Sequence, residues 1–129
     1  MGVEQTGGLV RAEGCETGSV AALTTHFDKS ASWHTPGRGP LAGDYEGRDA
    51  VFAQFGRFAG GTGGTFKAAL HQLFSSDEGR VVGVHHNSAE RDGTHLDVGC
   101  CLVFELKDGR VIDGPEHFFD LYAWDEFWS

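Results

Sequence analysis

The sequence predicts a single α+β domain in which helices pack on one face of an antiparallel sheet. Three observations carry that prediction. Asp-Gly stands between two extended runs at 92–93 and again at 108–109, the strongest short-range hairpin signal. Residues 48–59 place Val51, Phe52, Phe55, Phe58 and Ala59 at helical spacing, with Arg48, Asp49, Gln54 and Arg57 opposite. The helical segments precede a run of strands, an order that gives a meander with helices on one side.

Along the chain, residues 2–18 are Gly-rich and irregular; Leu9, Val10 and Ala12 would start only a short helix before Gly14 and Gly18. Ser19 has the character of an N-cap for a helix over 20–27 with Val20, Leu23 and Phe27 on one face. A short extended piece follows at Ala31 to His34, then the loop TPGRGPLAGDYEG. The helix over 48–59 ends at GGTGG. Segments 65–75, 80–91, 94–107 and 110–119 read as four strands. The tail 121–129 suits one or two helical turns with Leu121, Trp124 and Trp128 aligned, capped by Asp120. No repeat or linker interrupts 1–129, so one domain is expected.

Composition narrows the function classes. The 129 residues are 40% hydrophobic and 22% charged, a globular balance. No apolar run approaches the roughly 20 residues that span a bilayer, and the start lacks the basic-then-apolar pattern of a secretion signal. Nineteen acidic against ten basic residues give a net charge of −9. That balance argues against nucleic acid, whose phosphates call for Lys and Arg, and against anionic membrane surfaces. Cys15, Cys100 and Cys101 are odd in number and lack a Cys-x-x-Cys spacing. They read as reduced thiols in a cytoplasm. Cys100 and Cys101, adjacent on a strand, would face opposite sides of it.

The stretch SASWHTPGRGPLAGDYEGRDAV at 30–51 carries Trp33, His34, Pro36, Gly37, Pro40, Leu41, Gly43, Tyr45 and Gly47. This pattern, with the ending DLYAWDEFWS, closely resembles the SnoaL-like branch of the nuclear transport factor two-like superfamily, over roughly residues 18–129. The resemblance implies a cone-shaped, cystatin-like α+β fold. Its curved sheet would be antiparallel, with N-terminal helices on the concave face, and it would dimerise through the outer sheet face. It also implies chemistry without a cofactor, since members include polyketide cyclases, ketosteroid isomerases, dehydratases and epoxide hydrolases. Fold alone does not choose among them. The first helix here is glycine-interrupted and short. The tyrosine of the isomerases has no match, His34 or Thr35 falls at their aspartate, and Cys100 at their acidic oxyanion-hole donor. Ketosteroid isomerase chemistry is therefore not expected.

Two-residue hairpin loops supply a register. Counting from Asp92-Gly93 pairs His85 with Cys100 and Asn87 with Val98. Counting from Asp108-Gly109 pairs Cys100 with His117 and Leu102 with Pro115. His85, Cys100 and His117 would then form a row on the face shared by Val98, Leu102 and Phe104. A bulge in either strand would break the row. The opposite face would carry Val82, Val84, His86, Cys101, Val103, Ile112 and Phe118, apolar enough for a homodimer interface.

His34, at the mouth of the expected pocket, is the candidate proton carrier, because imidazole titrates near neutral pH. The plainer alternative is that Trp33 and His34 brace the Pro-rich loop. The His85, Cys100 and His117 row admits several chemistries. It would supply polar contacts to a carbonyl or enolate, a histidine-assisted thiolate, a metal site completed by His34, or simply a core thiol between histidines. Trp33, Tyr45, Asn87, Val98, Cys100 and Leu102 are the candidate ligand contacts. The leading expectation is cofactor-free acid–base isomerisation, cyclisation or dehydration of an apolar or polyketide-like molecule. His34, His85 and His117 would be catalytic, and no metal is assigned. The alternatives are a non-catalytic small-molecule binding protein and a metal-dependent enzyme using His34, His85, Cys100 and His117.

Overall fold

The computed structural model describes residues 26–129. In chain order the elements are β1 (Phe27–Thr35), β2 (Gly43–Glu46), α1 (Arg48–Gly60), β3 (Lys67–Ser75), β4 (Arg80–Arg91), β5 (Thr94–Lys107), β6 (Arg110–Phe118) and α2 (Leu121–Trp128). The strands form one open mixed sheet in the order β2-β1-β6-β5-β4-β3. The expected meander is antiparallel from β3 to β6, but β1 joins β6 in parallel. The first strand thus reaches the last one laterally, which hairpin signals cannot announce.

Both Asp-Gly turns form as expected. Asp92 and Gly93 have φ of 50° and 79°, and Asp108 and Gly109 have 54° and 78°. These are the paired positive angles that match a tight turn to the twist of the strands. They set Arg91 opposite Thr94 and Lys107 opposite Arg110.

Helix α1 forms where the sequence placed it, with Val51 and Phe58 buried, but Gln54, read above onto the opposite polar face, is fully buried too. The Asp120 carboxylate caps α2 by accepting from the Ala123 N–H at 3.1 Å, as read from the sequence. In α2 the buried set is Trp124, Phe127 and Trp128, while Leu121 is exposed. Phe27, assigned above to the end of a helix, opens β1 instead and is fully buried. The first strand is accordingly longer than the Ala31 to His34 piece, and the Pro-rich loop contains the short strand β2. Residues 2–18, Cys15 and the rest of the helix expected over 20–27 lie outside the described residues.

Strict alternation divides the sheet into two faces. On the inner face β4 contributes Val81, His85, Asn87 and Ala89, and β5 contributes Leu96, Val98, Cys100, Leu102 and Phe104, all buried. Two aromatic clusters cover this face. Phe27, Trp33, Phe52, Phe55 and Phe104 surround one end. Phe58, Phe66, Trp124, Phe127 and Trp128 fill the other. Phe55 and Phe118 touch both clusters. Burying this much aromatic surface, at roughly 25 cal/mol per Å² of apolar area, is the main force holding the helices on the sheet.

Candidate functional site

The decisive local event is a bulge in β6. Leu106 pairs with Val111, but the next pair is Glu105 with Asp113, so one residue of β6 is inserted at Ile112. Every later residue is displaced by one. Cys100 faces Phe118, Cys101 faces His117, and Leu102 faces Glu116. The expected row is therefore corrected. His85 does lie opposite Cys100, and Asn87 opposite Val98, but His117 is exposed on the outer face. Phe118, assigned above to the outer face, points inward and stacks on Trp124 at 4.0 Å. Pro115, expected opposite Leu102 on the inner face, lies on the outer one, beside His34.

Packing accounts for the slip. Trp33 on β1 lies beside Gly114 on β6, and its six-membered ring occupies the space that a Cβ at Gly114 would need, 2.4 Å away. Only glycine fits beneath that indole. Placing it there puts Gly114, Glu116 and Phe118 inward, where an unbulged strand would have sent Asp113, Pro115 and His117.

The same displacement buries a carboxylate that the sequence reading passed over. Glu116 is 5% exposed. Its Oε1 accepts from the Trp33 indole N–H at 2.9 Å and from the Thr35 hydroxyl at 2.8 Å. Gln54, fully buried on α1, donates through Nε2 to Thr35 Oγ1 at 3.1 Å and to the Leu41 carbonyl at 2.8 Å. Gln54 Oε1 in turn accepts from Arg57 at 2.7 Å. Trp33, Thr35 and Glu116 share one face because Trp33 and Thr35 alternate inward along β1 and β6 lies alongside it in parallel. The available sequence signal was an acidic residue in a strand beside a glycine, but only the bulge reveals its face.

His34, between Trp33 and Thr35, necessarily points the other way. It does not overhang Cys100. Its Nδ1 lies 2.7 Å from Asp44 Oδ1 and its Nε2 lies 2.6 Å from Asp113 Oδ1, so the ring ties β2 to β1 and β1 to β6 across the outer face. Burial is the largest single effect on its pKa and favours the neutral ring. The hydrogen bonds to Asp44 and Asp113, with the charges of both, outweigh burial and raise the pKa above 6.5. Two carboxylate partners require both ring nitrogens to donate, which is the imidazolium form.

The remaining candidates divide in the same way. His85 is 2% exposed; its ring folds back over Gly83, with Nδ1 3.2 Å from the Gly83 carbonyl oxygen. A Cβ at Gly83 would sit 2.5 Å from that ring, so this histidine needs a glycine two residues away. Asn87 is 3% exposed. Among the described residues the Trp128 indole nitrogen is buried without a hydrogen-bond partner. Cys100, Val98 and Leu102 are buried beside His85 and Asn87 on the inner face. Tyr45 pairs with Trp33 across β1 and β2, gives its hydroxyl to the Leu41 carbonyl at 2.6 Å and packs under Arg57. It braces the Pro-rich loop. The four residues considered for a metal do not converge, because His34 and His117 lie on the outer face and His85 and Cys100 on the inner.

On the outer face, Val82, Val84, Cys101 and Val103 are half-buried and Phe74 is 55% exposed. His86 is bonded to Asp97 there. Among the described residues no helix is long and apolar enough to cross a membrane.

Known proteins place this geometry. The model of the SnoaL-like domain matches residues 10–114, so the chain belongs to that family. Bal32a, from a soil-derived mobile gene cassette, is 57% identical and superposes with a TM-score of 0.93, covering 98% of this chain and 99% of its own. An NTF2-like protein of Burkholderia pseudomallei shares the fold at 16% identity and a TM-score of 0.87, over 100% of this chain and 99% of its own. TerC co-crystallized with polyporic acid shares it at 17% identity and a TM-score of 0.84, over 97% of each chain.

Proposed function

We propose that this protein holds a small, largely apolar molecule against the inner face of its sheet. It acts on that molecule by cofactor-free acid–base chemistry of the isomerase, cyclase or dehydratase kind, with Glu116 as the proton-handling group. The observation that carries the reading is a carboxyl group 5% exposed, gripped by Trp33 and Thr35 and set among aromatic side chains. Sequestering an ionisable group from water is expensive, and sites that do so are enriched in catalytic acids and bases. His85 and Asn87 are the groups suited to hold a carbonyl or enolate oxygen by preorganised hydrogen bonds. Trp33, Val98, Cys100 and Leu102 would supply apolar contacts. His34 and His117 have no part in this chemistry, since the sheet stands between them and the inner face.

The buried indole nitrogen of Trp128 supports ligand binding independently of catalysis. A buried donor without a partner costs about 1–3 kcal/mol, and a bound molecule that accepts from it relieves that cost. The fold of TerC, seen with polyporic acid, supports a small organic compound as the ligand class. We further propose a cytoplasmic homodimer that buries the outer face around Val82, Val84 and Val103.

Native mass spectrometry of the purified protein, compared with Glu116→Gln, tests the reading. A co-purifying organic compound that wild type converts and the variant binds unchanged is the expected result. A compound bound equally by both and converted by neither would reduce the protein to a carrier. Protein that returns without any small molecule, and binds none from a panel of polycyclic ketones and quinones, would remove the reading. Light scattering in solution checks the dimer, which a monomeric mass would refute.

A further inference from the structure

Hydrogen-bond direction along the chain Arg57, Gln54, Thr35 and Glu116 follows from chemistry alone. Arg57 has only donors, so the atom of Gln54 that meets it at 2.7 Å is the oxygen. The Leu41 carbonyl has only lone pairs, so the atom that meets it at 2.8 Å is the nitrogen. A flipped amide would set donor against donor and acceptor against acceptor, so the orientation of Gln54 is fixed at both ends. Its N–H therefore points at Thr35 Oγ1. The threonine hydroxyl, having accepted that proton, directs its own to Glu116 Oε1 at 2.8 Å. Trp33, which is donor-only, aims a second proton at the same oxygen. Two donors converging on one oxygen favour the ionised carboxylate.

We infer that Thr35 and Gln54, with Arg57 behind them, are positioning residues that hold Glu116 as a proton acceptor, sending a fixed hydrogen-bond polarity from the exposed surface of α1 into the inner face. This rests on the reading of Glu116 given above, and extends it to Thr35, Gln54 and Arg57. Among the described residues, the titratable or charged groups on the elements packed around Glu116 include Cys100 on β5, His85 on β4, Tyr45 on β2 and Arg57 on α1.

Isotope-edited infrared titration of the Glu116 carboxyl in ligand-free protein tests the inference without any substrate. Thr35→Val is expected to raise the midpoint by about one pH unit or more, since a hydrogen bond to the charged form is lost. Thr35→Ser keeps the hydroxyl and is expected to restore the wild-type midpoint, which a role in packing alone would not do. Gln54→Leu is expected to shift it in the same direction by less. If Thr35→Val does not fold, wild type still decides. The Trp33 indole and Gln54 amide protons, followed by NMR, are expected to move with the same midpoint as the carboxyl. Equal shifts in the serine and valine variants, or indole and amide protons unmoved through that titration, would overturn the inference. Failure to find a ligand would count against the proposed function and leave these results unaffected.

Discussion

Two carboxylates three residues apart on the same strand meet opposite fates. Asp113 lies on the outer face with its side chain 36% exposed, and takes a histidine as partner. Glu116 lies on the inner face, 5% exposed, and among the described residues accepts from two neutral donors. On β1 the partners alternate to match: Trp33 and Thr35 inward, His34 outward. The difference is one of dielectric. Outside, water tempers charge, so a full ion pair forms at little cost and contributes little. Inside, the carboxylate is held by neutral dipoles that are strong only because water is excluded. The outer arrangement ties strands together, whereas the inner one holds a buried carboxyl group in a defined orientation.

The comparison is broken most severely at the residue that enforces it. Trp33→Ala removes the indole around which β6 bulges and is expected to cost about 3–5 kcal/mol in chemical denaturation. Gly114→Ala, which puts a methyl group into that ring, is expected to cost about 1–3 kcal/mol by the same measurement. The inner contact can be cut without touching the outer one. Glu116→Leu leaves the Trp33 and Thr35 donors without their acceptor, at about 1–3 kcal/mol for each group. The corresponding outer changes are smaller.

For His34 the pH dependence has a definite sign. Its folded pKa is raised, so its contribution to stability is complete below the unfolded value near 6.5 and is lost as pH rises through the raised folded value. With the side chain 35% exposed, solvent screening keeps that contribution under about 1 kcal/mol. Wild type is therefore expected to lose melting temperature relative to His34→Gln between roughly pH 6 and pH 9, the window that spans a raised imidazole pKa. A difference that is flat or grows across that window would contradict the clamp. The smallest effect is expected at His117→Ala, within about 0.5 kcal/mol, because the side chain is exposed. A loss several times larger would revive the row with Cys100.

Short-range chemistry made much of this fold legible. Asp92-Gly93 and Asp108-Gly109 define their turns through their own backbone preferences, and the pairs next to them follow. The helical spacing of Val51, Phe55 and Phe58 and the cap at Asp120 are equally local. From these the pairs of His85 with Cys100 and of Asn87 with Val98 were accessible, as was the family through the motif from Trp33 to Gly47. A turn controls register only until the next irregularity. Whether Ile112 bulges depends on an indole delivered by a strand some 80 residues earlier in the chain. Neither that contact nor the parallel pairing of β1 with β6 leaves a periodic trace in the sequence. The sequence by itself thus determined α1, α2, the strands from β3 to β6, the two Asp-Gly turns and the inner face of β4 and β5. Only the tertiary structure decided which side of β6 faces inward, and so that Glu116, rather than His34 or His117, reaches the interior. Side-chain alternation has a period of two, so one inserted residue reverses every assignment beyond it.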